Sequence, residues 1–229
     1  MRVLALHEDV LVVTSAVWQT TCTIVRRGDE AFVVDSPVLP HELEALPALL
    51  QQAGWPFSGL LATHGDWDHL LGRPGQAQRR LRAFDEEHYV ERERPLALGS
   101  VEALPVPGRL EVGGEELELH PTEGHVADGM AVLVPWARVL VAGDFLSPVE
   151  VPMLSDGGSR SAYLATLRAL EPLLERVDRV VPGHGAVLDA ARARAILRED
   201  VRYLETGELP LARRTAEQRR VHARNQERW

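Results

Sequence analysis

Lysine is absent from this 229-residue chain; all 25 of its basic residues are arginine. That excludes Schiff-base chemistry at a lysine and the phosphate-binding lysine of a P-loop. Cysteine is almost absent as well. Cys22 stands alone, so there is no internal disulfide and no thiolate cluster for a structural zinc. Within "VWQTTCTIV" it reads as a small buried strand residue and not as a nucleophile. No stretch approaches the roughly 20 apolar residues of a membrane span. The start, "MRVLALHEDV", lacks the long apolar core and cleavage site of a signal peptide, so a cytoplasmic protein is expected. Short-period repeats and low-complexity tracts are missing. Positive charge is in deficit, at a formal net −9, which argues against nucleic acid or a membrane surface as partner. An anionic site is still compatible with a bound cation.

What is present is the composition of an ordinary globular protein, long enough for one domain spanning 1–229 with a full core. "VLVVTSAVW", "TCTIVRR" and "AFVVDS" read as consecutive strands, the last two joined by a hairpin turn at Gly28-Asp29. "PHELEALPALLQQAG" is a helix by the spacing of Leu43, Leu46, Leu49 and Leu50, capped at Gly54 and expected to kink or shorten at Pro47. "SGLLAT" is a short strand. The second half repeats this order: strands in "ELELHPTEGH", "GMAVLVP" and "ARVLVAGD", a helix in "SAYLATLRALEPLLERV", a strand in "DRVVPGHG" and a helix in "DAARARAILREDVRYLETG". Two similar α/β halves result, whose sheets would pack face to face with helices outside. Residues 73–114 between them are rich in Pro, Gly and charge. They read as a solvated connection, or alternatively as a flap over a site. The Arg-rich tail "LARRTAEQRRVHARNQERW" reads as an exposed amphipathic helix; RNA contact is the rival reading, disfavoured by the overall acidity.

The chemistry concentrates at strand ends. "HGDWDH" places His64, Asp66, Asp68 and His69 directly behind an apolar run. "TEGH", "VAGD" and "VPGHG" place His125, Asp144 and His184 behind three more strands, each beside a glycine that lets the backbone turn sharply and approach a ligand. Open α/β folds build sites at such an edge. Together these seven residues supply enough nitrogen and oxygen ligands for two divalent ions, about 3.5–4 Å apart in hydrolytic sites. His7, His41, His88, His120 and His222 fall outside the pattern and read as ordinary packed or surface residues.

The ordered set "HGDWDH", "GH" at 125, "GD" at 144 and "GH" at 184 resembles the metallo-β-lactamase superfamily, whose pattern is His-x-His-x-Asp-His followed by a lone His, Asp and His. The resemblance covers most of the chain. It implies an α/β fold, the four-layer αβ/βα sandwich. It also implies two divalent metal ions, usually zinc, with iron or manganese in some members. His64, Asp66 and His125 would hold the first, Asp68, His69 and His184 the second, with Asp144 bridging. The activity implied is hydrolysis of an ester, thioester, lactone or related bond in a small molecule by metal-bound hydroxide, with Asp68 as the general acid/base. A homodimer is left open.

Asp66 departs from the family, where most members carry His. It is either a true ligand, a residue that fails to reach and leaves one weak site, or the mark of a degenerate centre. As a ligand it would leave one formal positive charge on the centre where histidine would leave two, and it would favour harder ions over zinc. Flavodiiron proteins share the fold and a carboxylate there, so a diiron redox protein is the rival activity, and a non-catalytic metal-binding domain the third reading. Trp67 is expected to pack beneath the site. Neither the large insert of RNA-cleaving relatives nor the lysine-bearing helical domain of glyoxalase II is present.

Overall fold

A computed structural model of the chain describes residues 1–70, 76–92 and 102–229. In its first half, strands β1 (Arg2–His7), β2 (Val10–Thr14), β3 (Thr21–Arg27) and β4 (Glu30–Val34) form an antiparallel meander. Helix α1 (Pro40–Ala53) then crosses over to β5 (Phe57–Leu61), which pairs parallel to β4. The second half repeats the scheme. Strands β6 (Gly108–Val112), β7 (Glu115–Pro121), β8 (Met130–Val134) and β9 (Val139–Gly143) are antiparallel neighbours. Helix α3 (Arg160–Leu170) returns the chain to β10 (Arg179–Pro182), parallel to β9, and β11 (Leu188–Asp189) closes that edge. Helices α2 (Gln76–His88), α4 (Ala190–Thr206) and α5 (Ala216–Gln226), with three short 3-10 helices, complete the described elements.

Strand alternation assigns the layers, because successive side chains leave opposite faces of a sheet. On β8, Met130, Val132 and Val134 join Val10, Val12, Val25 and Leu61 of the first sheet in a core between the sheets. Ala131 and Leu133 point the other way, into a core with Tyr163 and Leu167 of α3 and Ile196 and Tyr203 of α4. On the outer face of the first sheet, Val13, Ile24 and Val33 pack on Leu46 and Leu50 of α1. The order helix, sheet, sheet, helix is the αβ/βα sandwich that the two-halves reading expects. No described helix is long and apolar enough to cross a membrane.

Local chemistry sets the boundaries. Helix α1 starts with proline at its first position and ends at Gly54 in the left-handed region, φ 68°. It is not shortened at Pro47, since buried Leu46 and Leu50 bracket that residue and hold the helix on the sheet. Ser159, Asp189 and Thr215 cap α3, α4 and α5 by accepting from Ala162, Arg192 and Gln218 amides. Strand β1 is not anticipated by the sequence reading, because "RVLALH" lies at a sheet edge and buries little. Cys22 is fully buried on β3, as expected, and burial pushes its thiol pKa well up.

Of the 73–114 segment, positions 73–75 and 93–101 lie outside the described residues, as do 71–72 at the end of the histidine loop. The rest contains α2 and β6, and α2 lies against the site: Phe84 meets the Trp67 ring at 5.2 Å between centroids.

Candidate metal centre

The parallel pairs β4/β5 and β9/β10 end on the same side of the sandwich, and their following loops converge there. Thr21 ties the two sheets together at this point, its amide donating to Gly183 O at 2.8 Å and its hydroxyl to Pro182 O at 2.6 Å. The loop after β5 supplies His64, Asp66, Asp68 and His69, and the loops after β7, β9 and β10 supply His125, Asp144 and His184. The structure brings all seven together, and none of the five histidines set aside joins them.

They fall into two groups around Asp144. On its Oδ2 side, His125 Nε2 lies at 3.3 Å and His64 Nε2 at 3.7 Å, with Asp66 Oδ2 at 3.2 Å from His125 Nε2. On its Oδ1 side, His69 Nε2 lies at 3.0 Å and His184 Nε2 at 3.5 Å, with Asp68 Oδ2 at 3.4 Å from His184 Nε2. Within each of the sets His64/Asp66/His125, Asp68/His69/His184 and His64/His69/Asp144, one ligand atom per residue lies within 4.8 Å of the others.

Every histidine of the centre uses Nδ1 outward and keeps Nε2 inward. His125 donates to Met153 O at 2.8 Å and His184 to Trp18 O at 3.2 Å. His69 donates to Asp35 Oδ2 at 3.1 Å, and His64 to Thr63 Oγ1 at 3.0 Å, whose hydroxyl donates in turn to Asp35 Oδ2 at 2.8 Å. With Nδ1 hydrogen-bonded outward, each Nε2 is the atom left facing the interior, and once it sheds any proton it offers the lone pair a metal needs. His69 Nε2 and His184 Nε2 face each other at 3.1 Å, an opposition of lone pairs that a proton or a cation has to relieve. His64 Nε2 and Asp144 Oδ1 are buried and make no hydrogen bond of acceptable geometry. Orphaned donor-set atoms of this kind fit a cation centre.

Without metal the charges are strongly coupled. Burial opposes ionisation of Asp144, but His69, His184, His64 and His125 outweigh it and hold the carboxyl well below its usual range. Burial and the neighbouring His69 depress His64 to about 4. Burial also disfavours a charged His184, but Asp144 and Glu150 lift it to about 10.

Gly183 makes this geometry feasible, since a Cβ there would stand 2.1 Å from Asp144 Oδ1 and 2.9 Å from His69 Cε1. Asp35 and Glu150 are members that sequence reasoning missed. Asp35, buried and at φ 61°, accepts from Thr63 N at 2.7 Å as well as from Thr63 Oγ1 and His69. Its position at the end of β4 is a signal of the same kind as that of Asp144. Glu150 reaches to 4.0 Å of His184 Nε2, and burial pushes its pKa up to about 7; nothing in "SPVEVP" marks it.

The centre forms the floor of a cavity of about 570 Å³. Trp67, expected to pack beneath the site, packs against Trp18, at 5.4 Å between centroids, and against Phe84, and it also lines this cavity.

A four-layer αβ/βα sandwich with two converging groups of His and Asp at one end defines a class of metal-binding fold. The chain belongs to the metallo-beta-lactamase superfamily, whose family model matches residues 16–80 and 73–184. Among solved structures it is similar to the DIM-1 metallo-beta-lactamase (21% identity, TM-score 0.61, covering 90% of this chain and 98% of that one). A metallo-beta-lactamase from Pontibacter korlensis matches at 18% identity and TM-score 0.63, over 90% and 99% of the two chains. A metallo-beta-lactamase family protein from Thermus thermophilus matches at 19% and 0.62, over 85% and 80%. At these identities the likeness shows the fold alone.

Proposed function

We propose that this protein is a dinuclear metal-dependent hydrolase acting on an ester, thioester, lactone or related bond of a small molecule. The observation that carries the reading is the division of Asp144, one carboxylate oxygen facing His64 and His125 and the other facing His69 and His184. His64, Asp66 and His125 would hold one ion, Asp68, His69 and His184 the other, and Asp144 would bridge. Zinc fits the imidazole-rich set, while three carboxylates also suit manganese or iron(II). When bound, such ions acidify water and polarise the oxygen of the bond to be cleaved.

The chain's own residues supply the rest. Asp68 lines the cavity with Oδ2 beside His184 Nε2, placed to take a proton from water and pass it to the leaving group. The Asp35–Thr63–His64 and Asp35–His69 hydrogen bonds fix two imidazoles against rotation. Trp18 and Trp67 offer an apolar wall to the substrate. The cavity suits a small molecule, and the net charge of −9 disfavours nucleic acid or a membrane as partner.

Metal analysis of anaerobically purified protein, paired with a screen of ester, thioester, lactone and phosphodiester hydrolysis, tests this. Two equivalents of metal and hydrolysis abolished by chelator are expected. Two irons with no hydrolysis would replace the reading with the redox one, and a protein that binds no metal and stays inert would overturn both.

A further inference from the structure

The arginine-rich tail is not a detached surface helix. Helix α5 buries Gln218, Val221 and Asn225, and two of these three are amides that bind backbone. Gln218 accepts from Val151 N at 2.8 Å, and Asn225 accepts from Leu154 N at 3.0 Å and donates to Pro152 O at 2.6 Å. The helix is thereby fixed to the segment that forms one side of the cavity over the candidate metal centre.

That fixation presents arginines to the cavity. Arg220 and Arg224, four residues apart on one stripe of α5, line it together with Arg228, just past the end of that helix, and Arg80 of α2. Two of these four are already occupied. Arg80 pairs with Asp156 at 3.4 Å and approaches Asp66 at 4.0 Å, and Arg228 pairs with Asp156 at 2.9 Å. Arg220 and Arg224 make no hydrogen bond or ion pair with any described residue. Glu217 and Glu227, towards the two ends of α5, also line the cavity but pair with neither. A cavity with ligand-type residues on its floor, Trp18 and Trp67 on one wall and two unpaired guanidinium groups one helical turn apart has three chemically distinct sectors.

We propose that Arg220 and Arg224 bind an oxyanion on the substrate, a carboxylate or phosphate carried at a distance from the bond that is cleaved. This rests on the hydrolase reading and narrows its substrate class to anionic small molecules. Two adjacent guanidinium forks match the paired oxygens of either anion.

The test compares a neutral phenyl ester with two matched esters bearing a distal carboxylate or a distal phosphate, using metal-loaded protein. The wild type should prefer at least one charged ester, and that arm identifies the anion. In the R220Q/R224Q double variant the ratio of charged to neutral kcat/KM should fall by about tenfold, the scale of two exposed charge pairs. R219Q, whose side chain is exposed on α5 outside the cavity, should keep the wild-type ratio. Higher salt should shrink the preference in the wild type. Calorimetric titration of glutarate and of inorganic phosphate into the same metal-loaded proteins gives a readout independent of turnover. Binding that weakens in the double variant supports the anion site even when no ester is cleaved, which would instead count against the hydrolase reading. Equal ratios and equal binding in wild type and double variant would overturn the anion site and leave the hydrolase reading standing.

Discussion

Asp66 Oδ2 lies 3.2 Å from His125 Nε2, on the same side of Asp144 as His64, so this short carboxylate reaches into the His64/His125 group. Ser155 Oγ donates to the same oxygen at 3.3 Å, and burial, which raises its pKa, is outweighed by the hydrogen bond from His125, so the carboxyl stays ionised. Replacing Asp66 by His should therefore shift metal preference toward zinc and away from manganese and iron, because a hard oxygen ligand becomes a borderline nitrogen. Metal content after growth in equal mixtures of the three ions measures the shift. Unchanged content together with unchanged kinetics would show that Asp66 is no ligand.

Asp35 gathers three donors, from Thr63 N, Thr63 Oγ1 and His69 Nδ1, and so supports a histidine of each group at once. Asn at 35 tolerates the left-handed backbone at φ 61° but offers a single acceptor oxygen and turns an amide toward a donor. D35N should lose roughly 1–3 kcal/mol of stability from the unmatched buried donor. Metal affinity should fall by about 10–100-fold, as for other groups that orient ligating histidines. Chelator competition and thermal denaturation separate the two effects. Wild-type affinity in a folded D35N would mean that His64 and His69 are held by packing alone.

These two residues mark what the sequence made legible. His64, Asp66, His125, Asp144 and His184 stood out because each follows an apolar strand and sits beside glycine, and the fold then requires such strand ends to meet. Asp35 carries part of that signal, at the end of the strand "AFVVDS", but has no glycine beside it. Glu150 and Asn225 carried none, since their roles depend on which segment α5 packs against. The tail's helix was legible from its composition, but its buried face was not, because amides binding backbone leave no hydrophobic period.

Protons and metal compete at His184. Its folded-state pKa of about 10 lies above the ordinary 6.5, so its proton stabilises the metal-free fold fully below 6.5, and that contribution is lost as pH rises toward 10. A cation at Nε2 must displace the proton, so affinity at that position should rise with pH through the neutral and mildly alkaline range, with at least one proton released per ion bound there. Calorimetry in two buffers of different ionisation enthalpy reads that number directly. Binding without proton release near neutral pH would show that His184 is already neutral or is not a ligand.

Asn225 acts on the centre without touching it. Its carboxamide holds Leu154 N and Pro152 O, the groups flanking Met153, and Tyr203 OH at 2.9 Å keeps that carboxamide in place. Met153 O in turn accepts from His125 Nδ1 at 2.8 Å. Leucine at 225 preserves approximate volume but strands a buried amide and a buried carbonyl, each costing on the order of 1–3 kcal/mol. N225L should therefore lower the melting temperature and also free the segment that orients His125. N225D, which keeps the acceptor for Leu154 N but sets a buried carboxylate against Pro152 O, should lower the melting temperature as well. Metal titration at a temperature where both variants are folded decides whether the effect reaches the centre. Weakened binding of one equivalent, with the other near wild type, is expected, because only the His64/Asp66/His125 group depends on this path. A loss of stability with both equivalents at wild-type affinity would confine Asn225 to holding α5 on the sandwich.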